Sequence, residues 1–327
     1  MSFFEGILQN LPEVRAPKEK KLPFKEKIKW TLIILILFFV MGFVPLFGLV
    51  ENALQQFEFL SIILGASFGS IISLGIGPLV TASIVLQLLA GTGILKLDLT
   101  TTEGRRKFQG LQKFSAIGFI IFEAAVYVLM GGLAPSPTLA GTPAFVQMEI
   151  WLILQLILGG ILIMFMDEVV SKWGIGSGIS LFIAAGVAQQ IFIRAFNFLP
   201  SPTNPDIAAG AIPALFQSLT VGDLTTATLQ IAAIAATIIV FAVSVYGQAM
   251  KVEIPLAFGK VRGYGMRWPL NFFYTSNIPV ILTAALIANI ELAGRLLEKT
   301  GYPLLGTFSG NSPISGAVFW IRAPELV

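Results

Sequence analysis

From Trp30 to Val50 the chain carries 21 consecutive residues without a charged side chain. At about 1.5 Å per helical residue this run is long enough to cross the ~30 Å hydrocarbon core of a bilayer. Its backbone amides and carbonyls would find no water in lipid, so the segment must satisfy them internally, as a helix does. The run follows a basic stretch from Arg15 to Lys29, and it is too long and too far from the N-terminus to be a cleaved signal peptide. Six more apolar segments follow, at about Leu60–Ile94, Phe114–Leu133, Phe145–Met166, Ile175–Phe196, Thr225–Met250 and Phe272–Leu296, separated by polar or Pro/Gly-rich joints. Charged residues make up 12% of the chain and hydrophobic residues 55%, where soluble proteins have about 25% and about 45–50%. The expected fold class is an all-α polytopic membrane protein.

Lys and Arg decide the side on which each joint lies. The N-terminal stretch holds seven of them, the joint around Arg105 five, that around Lys172 one and that around Lys260 four, so these alternate joints hold 17 of the 21. The joints around Glu51, Pro135 and Asn204 hold only Arg194, and the stretch after Phe272 adds Arg295, Lys299 and Arg322. The N-terminus is therefore expected in the cytoplasm and, after seven crossings, the tail from Gly301 to Val327 outside.

The second segment is about 35 residues long, too many for one crossing and too few for two with an ordinary loop. Its first part, Ser61–Ser73, mixes apolar residues with Gly65, Ala66, Ser67, Gly69 and Ser70, a poor surface to present to lipid. Gly75-Ile76-Gly77-Pro78 comes next. The glycines allow a turn, and proline, which has no amide proton, suits the first turn of a new helix running to Leu89. One arrangement is a short re-entrant helix, a break and then a true span; the other is a single long, kinked helix. Irregular backbone at membrane depth is tolerated only where it is buried in protein or lines an aqueous cavity, so the first arrangement places this stretch inside the protein or beside such a cavity.

Segment five opens on Gly174-Ile175-Gly176-Ser177-Gly178, and segment seven carries Asn277-Ile278-Pro279 near its start. Beside these breaks stand β-branched residues at helical spacing: Ile76 with Val80, Ile179 with Ile183, and Ile281. Side chains four apart share a helix face. Such faces serve ordinary packing or lipid contact, or else they form an apolar collar that closes a pore to ions by dewetting and yields to a flexible passenger.

Cys and His are both absent from the chain. This removes disulfides, Cys/His metal sites, thiol nucleophiles and every triad with an imidazole base. Gly65-Ala66-Ser67-Phe68-Gly69 fits the spacing of a nucleophile elbow, but without a histidine it has no base. The glycines from Gly174 lack the Lys-Ser/Thr ending of a phosphate-binding loop and fit close helix packing better. No catalytic residue, cofactor or metal is expected. Asp167 and Glu168 sit at a span edge, where solvation is the simple explanation, and Glu149 is near enough to a span end to reach the interface.

Glu123 lies about ten residues into the third segment, near mid-membrane, where a carboxylate is costly and usually faces a bundle interior or an aqueous path. Thr81, Gln87 and Asn289 lie at comparable depth on other segments and could join it in a hydrogen-bonded cluster. A protonated Glu123 bonding locally is the other reading.

Phe24-Lys25-Glu26-Lys27, Gly75 to Pro78 with Gln87-Leu88-Leu89, Asp167-Glu168 with Gly174 to Ile179, Leu181 to Gly186 and Tyr274 to Pro279 are spread over nearly the whole chain. Together they resemble the SecY family in its archaeal form, the large subunits of the Sec protein-conducting channel. The resemblance implies a SecY-like helical bundle: residues 30–196 as an N-terminal half of five spans with a plug at about 60–73, then an external loop at 197–224. Two spans of the inverted second half follow within 225–297, around a cytoplasmic loop at 251–270. It implies a plug that includes Ile62, Ile63, Leu64, Gly65, Ser67, Phe68 and Gly69, and a pore ring of Ile76, Val80, Ile179, Ile183 and Ile281. Thr81, Gln87, Glu123 and Asn289 would lie at a lateral gate, and Lys251, Lys260, Arg262 and Arg267 in a ribosome-docking loop. The implied activity is passive conduction of unfolded polypeptides across the cell membrane and release of transmembrane segments into lipid. The implied partners are a SecE-type subunit, a small single-span third subunit, the ribosome with no nucleic acid beyond its RNA, signal sequences and nascent chains, and membrane lipid. The family has ten spans in two inverted halves, so a chain with seven reads as a fragment or a truncated form.

The main alternative is a secondary transporter, which also uses broken helices near the midplane. Such sites normally gather several ionisable groups, whereas Glu123 is nearly alone and the candidate lumen is Ile and Val. A membrane scaffold leaves the broken second segment unexplained. An aspartate-type intramembrane protease needs two buried Asp, and all four Asp of this chain fall in joints.

Overall fold

The uncharged run after Lys29 is helical only as far as Phe43, within helix α1, Phe24–Phe43, which buries Thr31, Ile34, Phe38 and Met41 along one stripe; residues 44–50 turn away as loop. The computed structural model describes residues 11–18, 22–52, 65–95, 100–200, 207–256, 266–272, 301–309 and 312–321, together with 283, 286–287, 290–291, 293–295 and 297–298. Helices α2 (Gly77–Gly91), α3 (Thr102–Leu129), α4 (Pro143–Trp173) and α5 (Gly178–Phe196) follow. Next come α6 (Ala211–Val221) and α7 (Leu224–Ala249). Among the described residues α3, α4, α5 and α7 are long and apolar enough to cross a membrane. The 31 residues of α4 extend about 46 Å, well beyond the ~30 Å thickness of the hydrocarbon core. The seventh apolar segment lies largely outside the described residues, with helical backbone at the positions described between 283 and 298.

The chain divides into two units, residues 1–187 with 279–327, and residues 188–278. In the first, α1, α3 and α4 pack with α2 around two apolar clusters. One is built by Leu74, Leu79, Ile120, Tyr127, Leu152 and Leu156 among α2, α3 and α4. The other gathers Ile34, Phe38, Ile163, Val170 and Phe182, with the rings of Phe38 and Phe182 stacked at 4.8 Å. A two-residue ladder joins β1 (Glu51–Asn52) to β2 (Leu133–Ala134) and ties the loop after α1 to the loop after α3. Toward the C-terminus, strands β5 (Phe308–Ser309) and β6 (Ser312–Pro313) and helix α8 (Ala317–Ile321) complete the elements. The Gly/Ser/Pro-rich tail is anchored there: the amide of Phe308 donates to Glu298 Oε1 at 3.0 Å, and the Arg295 guanidinium lies over the Phe308 ring.

The second unit shows two elements that hydropathy did not reveal. Helix α6 occupies the joint expected as an external loop and packs on α7. Gly222, in the left-handed region with φ 82°, ends α6, and Asp223 caps the start of α7 through Thr225 and Thr226. The joint at 251–270 is a β-hairpin, β3 (Lys251–Leu256) paired antiparallel with β4 (Met266–Asn271), in which Lys251 faces Asn271 and Pro255 faces Arg267. Nearly the whole of α7 is exposed, with only Ala227 buried among its residues, as suits a helix that meets lipid or further membrane helices.

Candidate functional site

The break in the second apolar segment is where the backbone chemistry placed it. Gly75 takes φ +54°, Ile76 stands at the N-cap and Pro78 occupies the first turn of α2. Ahead of it, residues 65–76 form a succession of turns; the part of the expected re-entrant helix at 61–64, with Ile62, Ile63 and Leu64, lies outside the described residues. Serine hydroxyls satisfy these turns in place of a helical ladder. Ser67 Oγ donates to the carbonyl of Gly42, Ser70 Oγ to that of Ser67, and Ser73 Oγ accepts from the amide of Gly69 at 2.9 Å. Gly65 lies against the backbone of Phe182 with φ +53°, and Gly69 has φ +96°.

The turns are seated in a notch of α4. A Cβ on Gly159 would collide with the carbonyl oxygen of Ile71, and one on Gly160 would press on Ile120. This is close approach through small residues, the way helices and chain pack tightly in lipid.

Four of the five pore-ring candidates come together. Ile76 and Val80 are fully buried in one apolar cluster, and Ile179 and Ile183 pack against it half-buried, as do Ala66 and Phe68 from the turns. Ile281 lies outside the described residues.

Of the gate candidates, Thr81 of α2 and Glu123 of α3 are buried and share a side-chain hydrogen bond. Thr81 Oγ1 also donates to the carbonyl of Gly77 at 2.9 Å. Gln87 is exposed six residues further along α2, about 240° around the helix from Thr81, and does not join the pair. Asn289 lies outside the described residues. A second polar contact between the same helices, Gln112 Nε2 to Ser83 Oγ at 2.6 Å, lies nearer the N-terminal end of α3.

Asp167 and Glu168 have a larger part than solvation. Asp167 Oδ1 accepts the amide of Ile179 at 3.0 Å, and Glu168 pairs with Lys113. They border a cavity of about 670 Å³ between the ends of α2, α3, α4 and α5, shared with Ser83, Arg106, Lys113 and Ile179. A half-open shape lined by charges of both signs suits a vestibule better than a binding pocket for one ligand. Among the described residues no three acidic side chains stand close enough to hold a metal ion.

In the hairpin, Lys251 and Arg267 are exposed, and Arg267 Nη1 lies 2.9 Å from Glu253 Oε2. Lys260 and Arg262 lie outside the described residues.

Comparison with known proteins gives one answer. The SecY family model matches residues 70–323, and the model of the plug domain of Sec61p matches residues 36–69. The chain is 48% identical to the protein translocase subunit SecY of Methanothermobacter thermautotrophicus, over 99% of this chain and 70% of that one. It superposes with a TM-score of 0.78 and 40% identity on a solved protein-conducting channel, over 96% of this chain and 68% of the other. Against Sec61 in the canine ribosome-channel complex from the endoplasmic reticulum the TM-score is 0.77, at 40% identity and the same coverage. The secondary-transporter alternative finds no support among these relatives. With a plug-domain match over residues 36–69, reaching into the start of the second apolar segment, and a SecY match over nearly all the rest, the chain belongs to the SecY family of protein translocase channel subunits.

Proposed function

We propose that the chain forms the pore of a protein translocase, conducting unfolded polypeptides across the membrane and releasing apolar segments sideways into lipid. The carrying observation is the apolar cluster at the helix breaks, where Ile76 and Val80 meet Ile179 and Ile183 beside Ala66 and Phe68 of the plug turns. A ring of this kind excludes ions by dewetting and offers no fixed chemistry, which suits a passenger of any sequence. Ile281 completes the ring, and Thr81 and Glu123, with Asn289 at comparable depth in the sequence, form the lateral gate; Gln87, on another side of α2, is not part of it. The chain hydrolyses nothing; energy comes from whatever drives the passenger.

The basic joints lie on the cytoplasmic side, so the N-terminus is cytoplasmic and the 301–327 tail external, in the cell membrane. Lys251, Lys260, Arg262 and Arg267 dock the ribosome. A SecE-type subunit and a third, single-span subunit cover apolar faces such as that of α7.

The absence of cysteine makes a direct test simple. With a single Cys at Ile179 in the channel complex, a ribosome-stalled secretory chain carrying one Cys forms a disulfide with it when its signal sequence is intact. No disulfide, with small thiol reagents still reaching the Cys, would remove polypeptide from the constriction.

A further inference from the structure

We propose that Asp167, seconded by Thr31, is a positioning residue for the constriction: from α4 and α1 these two side chains fix the start of α5, and with it Ile179 and Ile183. The inference rests on the pore-ring reading above and adds to it the residues that hold the ring in place.

Only four residues, 174–177, separate the end of α4 from the start of α5. So short a reversal exposes amides that neither helix can use, since the first turn of any helix leaves its N–H groups without intrahelical acceptors. Three of them are met from outside the elbow. The amide of Ile175 donates to Thr31 Oγ1 at 3.1 Å, and that hydroxyl in turn donates to the carbonyl of Lys27 at 2.8 Å. The amide of Ile179 donates to Asp167 Oδ1 at 3.0 Å, and the amide of Gly178 also bonds this carboxylate.

A helix cap ordinarily comes from the residue just before the helix. Here it comes from the preceding span, so it fixes one helix against another as well as closing the helix end. Steric fit agrees. Gly178 is buried, and a Cβ there would stand 2.5 Å from Asp167 Oδ1 and 2.6 Å from its Cα. At the other end of the elbow, a Cβ on Gly174 would stand 2.9 Å from Thr31 Oγ1. The glycines let the elbow close onto its two anchors, and Gly176, at φ +78°, makes the turn between them.

The consequence falls on the ring. Ile179 carries the capped amide itself, and Ile183 is one turn further on the same face. A shift at this elbow moves both side chains relative to Ile76 and Val80, which are set by the separate break at Gly75–Pro78.

The test is resting ion leak through the channel complex, purified with its partner subunits and reconstituted in vesicles. Ile179→Gly is the reference and leaks. Asp167→Ala raises leak about tenfold or more, the shift expected when the charge-assisted bonds from the Ile179 and Gly178 amides are lost from a closed-to-leaky equilibrium. Asp167→Asn keeps an acceptor and stays near the native level, and Thr31→Val, of the same shape, raises leak about twofold. Gly178→Ala, which leaves the carboxylate in place but pushes α5 away from it, leaks like Asp167→Ala and serves as readout if that variant does not assemble. Combining Asp167→Ala with Ile179→Gly adds nothing beyond Ile179→Gly alone. If Ile179→Gly leaks while Asp167→Ala and Gly178→Ala stay tight, or if Asp167→Asn leaks as much as Asp167→Ala, the positioning role is overturned. If Ile179→Gly itself is tight, the pore-ring reading fails instead.

Discussion

Lys113 of α3 and Glu168 of α4 form an ion pair with side chains only 11% and 18% exposed, and the second oxygen of the same carboxylate accepts the amide of Val14 at 2.9 Å. The N-terminal segment is thereby stitched across the ends of two spans. Lys113 also donates to the carbonyl of Pro12, Lys172 pairs with Glu13 and donates to the carbonyl of Val14 at 2.6 Å, and the Trp173 indole donates to the carbonyl of Arg15 at 2.9 Å.

Removing the shared carboxylate should release this strap. Glu168→Ala takes the shared carboxylate from a largely buried ammonium, which keeps the Pro12 carbonyl, and from the Val14 amide, a loss of about 1.5–3 kcal/mol before solvent screening. Trypsin cleavage after Arg15 is expected to become about tenfold faster, because cleavage tracks local opening. Acid acts in the same direction. The hydrogen bond from Lys172 is the main reason the Glu13 carboxyl lies below its ordinary value of 4.5. A lowered folded value means that this contact stabilises the strap fully above the ordinary value and is lost as pH falls through the lowered one. Tryptic cleavage that is unchanged by Glu168→Ala, with protection of the Val14 amide from hydrogen exchange that is unchanged as pH falls through the lowered value, would detach the strap from these spans.

A second prediction concerns the notch that seats the turns at 65–76. Gly159→Ala forces a Cβ into the carbonyl oxygen of Ile71, a backbone atom that cannot rotate away. Overpacking of this kind costs about 1–3 kcal/mol and should lower the melting temperature of the complex in detergent. Gly118→Ala, on α3 with open space at its Cβ, is the control and should be neutral or slightly stabilising, since alanine favours helix by up to about 1 kcal/mol. Equal effects from both would mean that the notch is not occupied.

The break at Gly75–Pro78 was legible because its signal is local: glycine permits positive φ and proline suits a first helical turn whatever the surroundings. The Thr81–Glu123 pairing was legible for a different reason, since a carboxylate at mid-membrane demands a partner and few polar side chains lie at its depth. Depth alone puts Gln87 beside them, and depth does not say which side of a helix a residue faces. The role of Asp167 was hidden because its acceptor function is toward an amide eleven and twelve residues on, presented by a fold-back that no periodicity records. The hairpin at 251–271 and helix α6 escaped because hydropathy over a span-length window averages out elements of six and eleven residues.

Glu123 offers a functional prediction. Its bond to Thr81 ties α2 to α3, so Glu123→Ala should loosen that contact and let less hydrophobic segments leave sideways. The insertion threshold is expected to fall by about 1 kcal/mol, the net contribution of one hydrogen bond, as read with a graded series of test segments. An unchanged threshold would take Glu123 out of the gate.

Asp223 supplies a pH prediction within the 188–278 unit. Its carboxylate accepts the hydroxyls of Thr225 and Thr226 at 2.6 Å each and their amides at 3.2 Å, and these bonds pull its pKa from 3.8 to about 2. The folded value lies below the unfolded one, so the cap is fully effective above about 4 and fades as pH falls through about 2. Asp223→Asn keeps a capping acceptor and should show no such fall over this window. Helix content of the complex, followed by circular dichroism between pH 5 and about 2, separates the two, and identical acid profiles would deny the cap.

The hairpin is the element on which ribosome docking can be tested without disturbing the membrane part. Arg267 and Glu253 are 73% and 52% exposed, so their pair adds little to stability and its loss should leave the strands in register. A cation that neutralises an RNA phosphate releases a counterion, which makes its contribution visible as a salt dependence. Arg267→Ala should therefore weaken ribosome binding and reduce the slope of log affinity against log salt by about 1, and Lys251→Ala should do the same. Ion leak and translocation of a chain already engaged should be unaffected, because neither residue belongs to the constriction. A weaker affinity with an unchanged slope would mean that the hairpin meets ribosomal protein rather than phosphate, and no change in affinity would remove it from the docking surface.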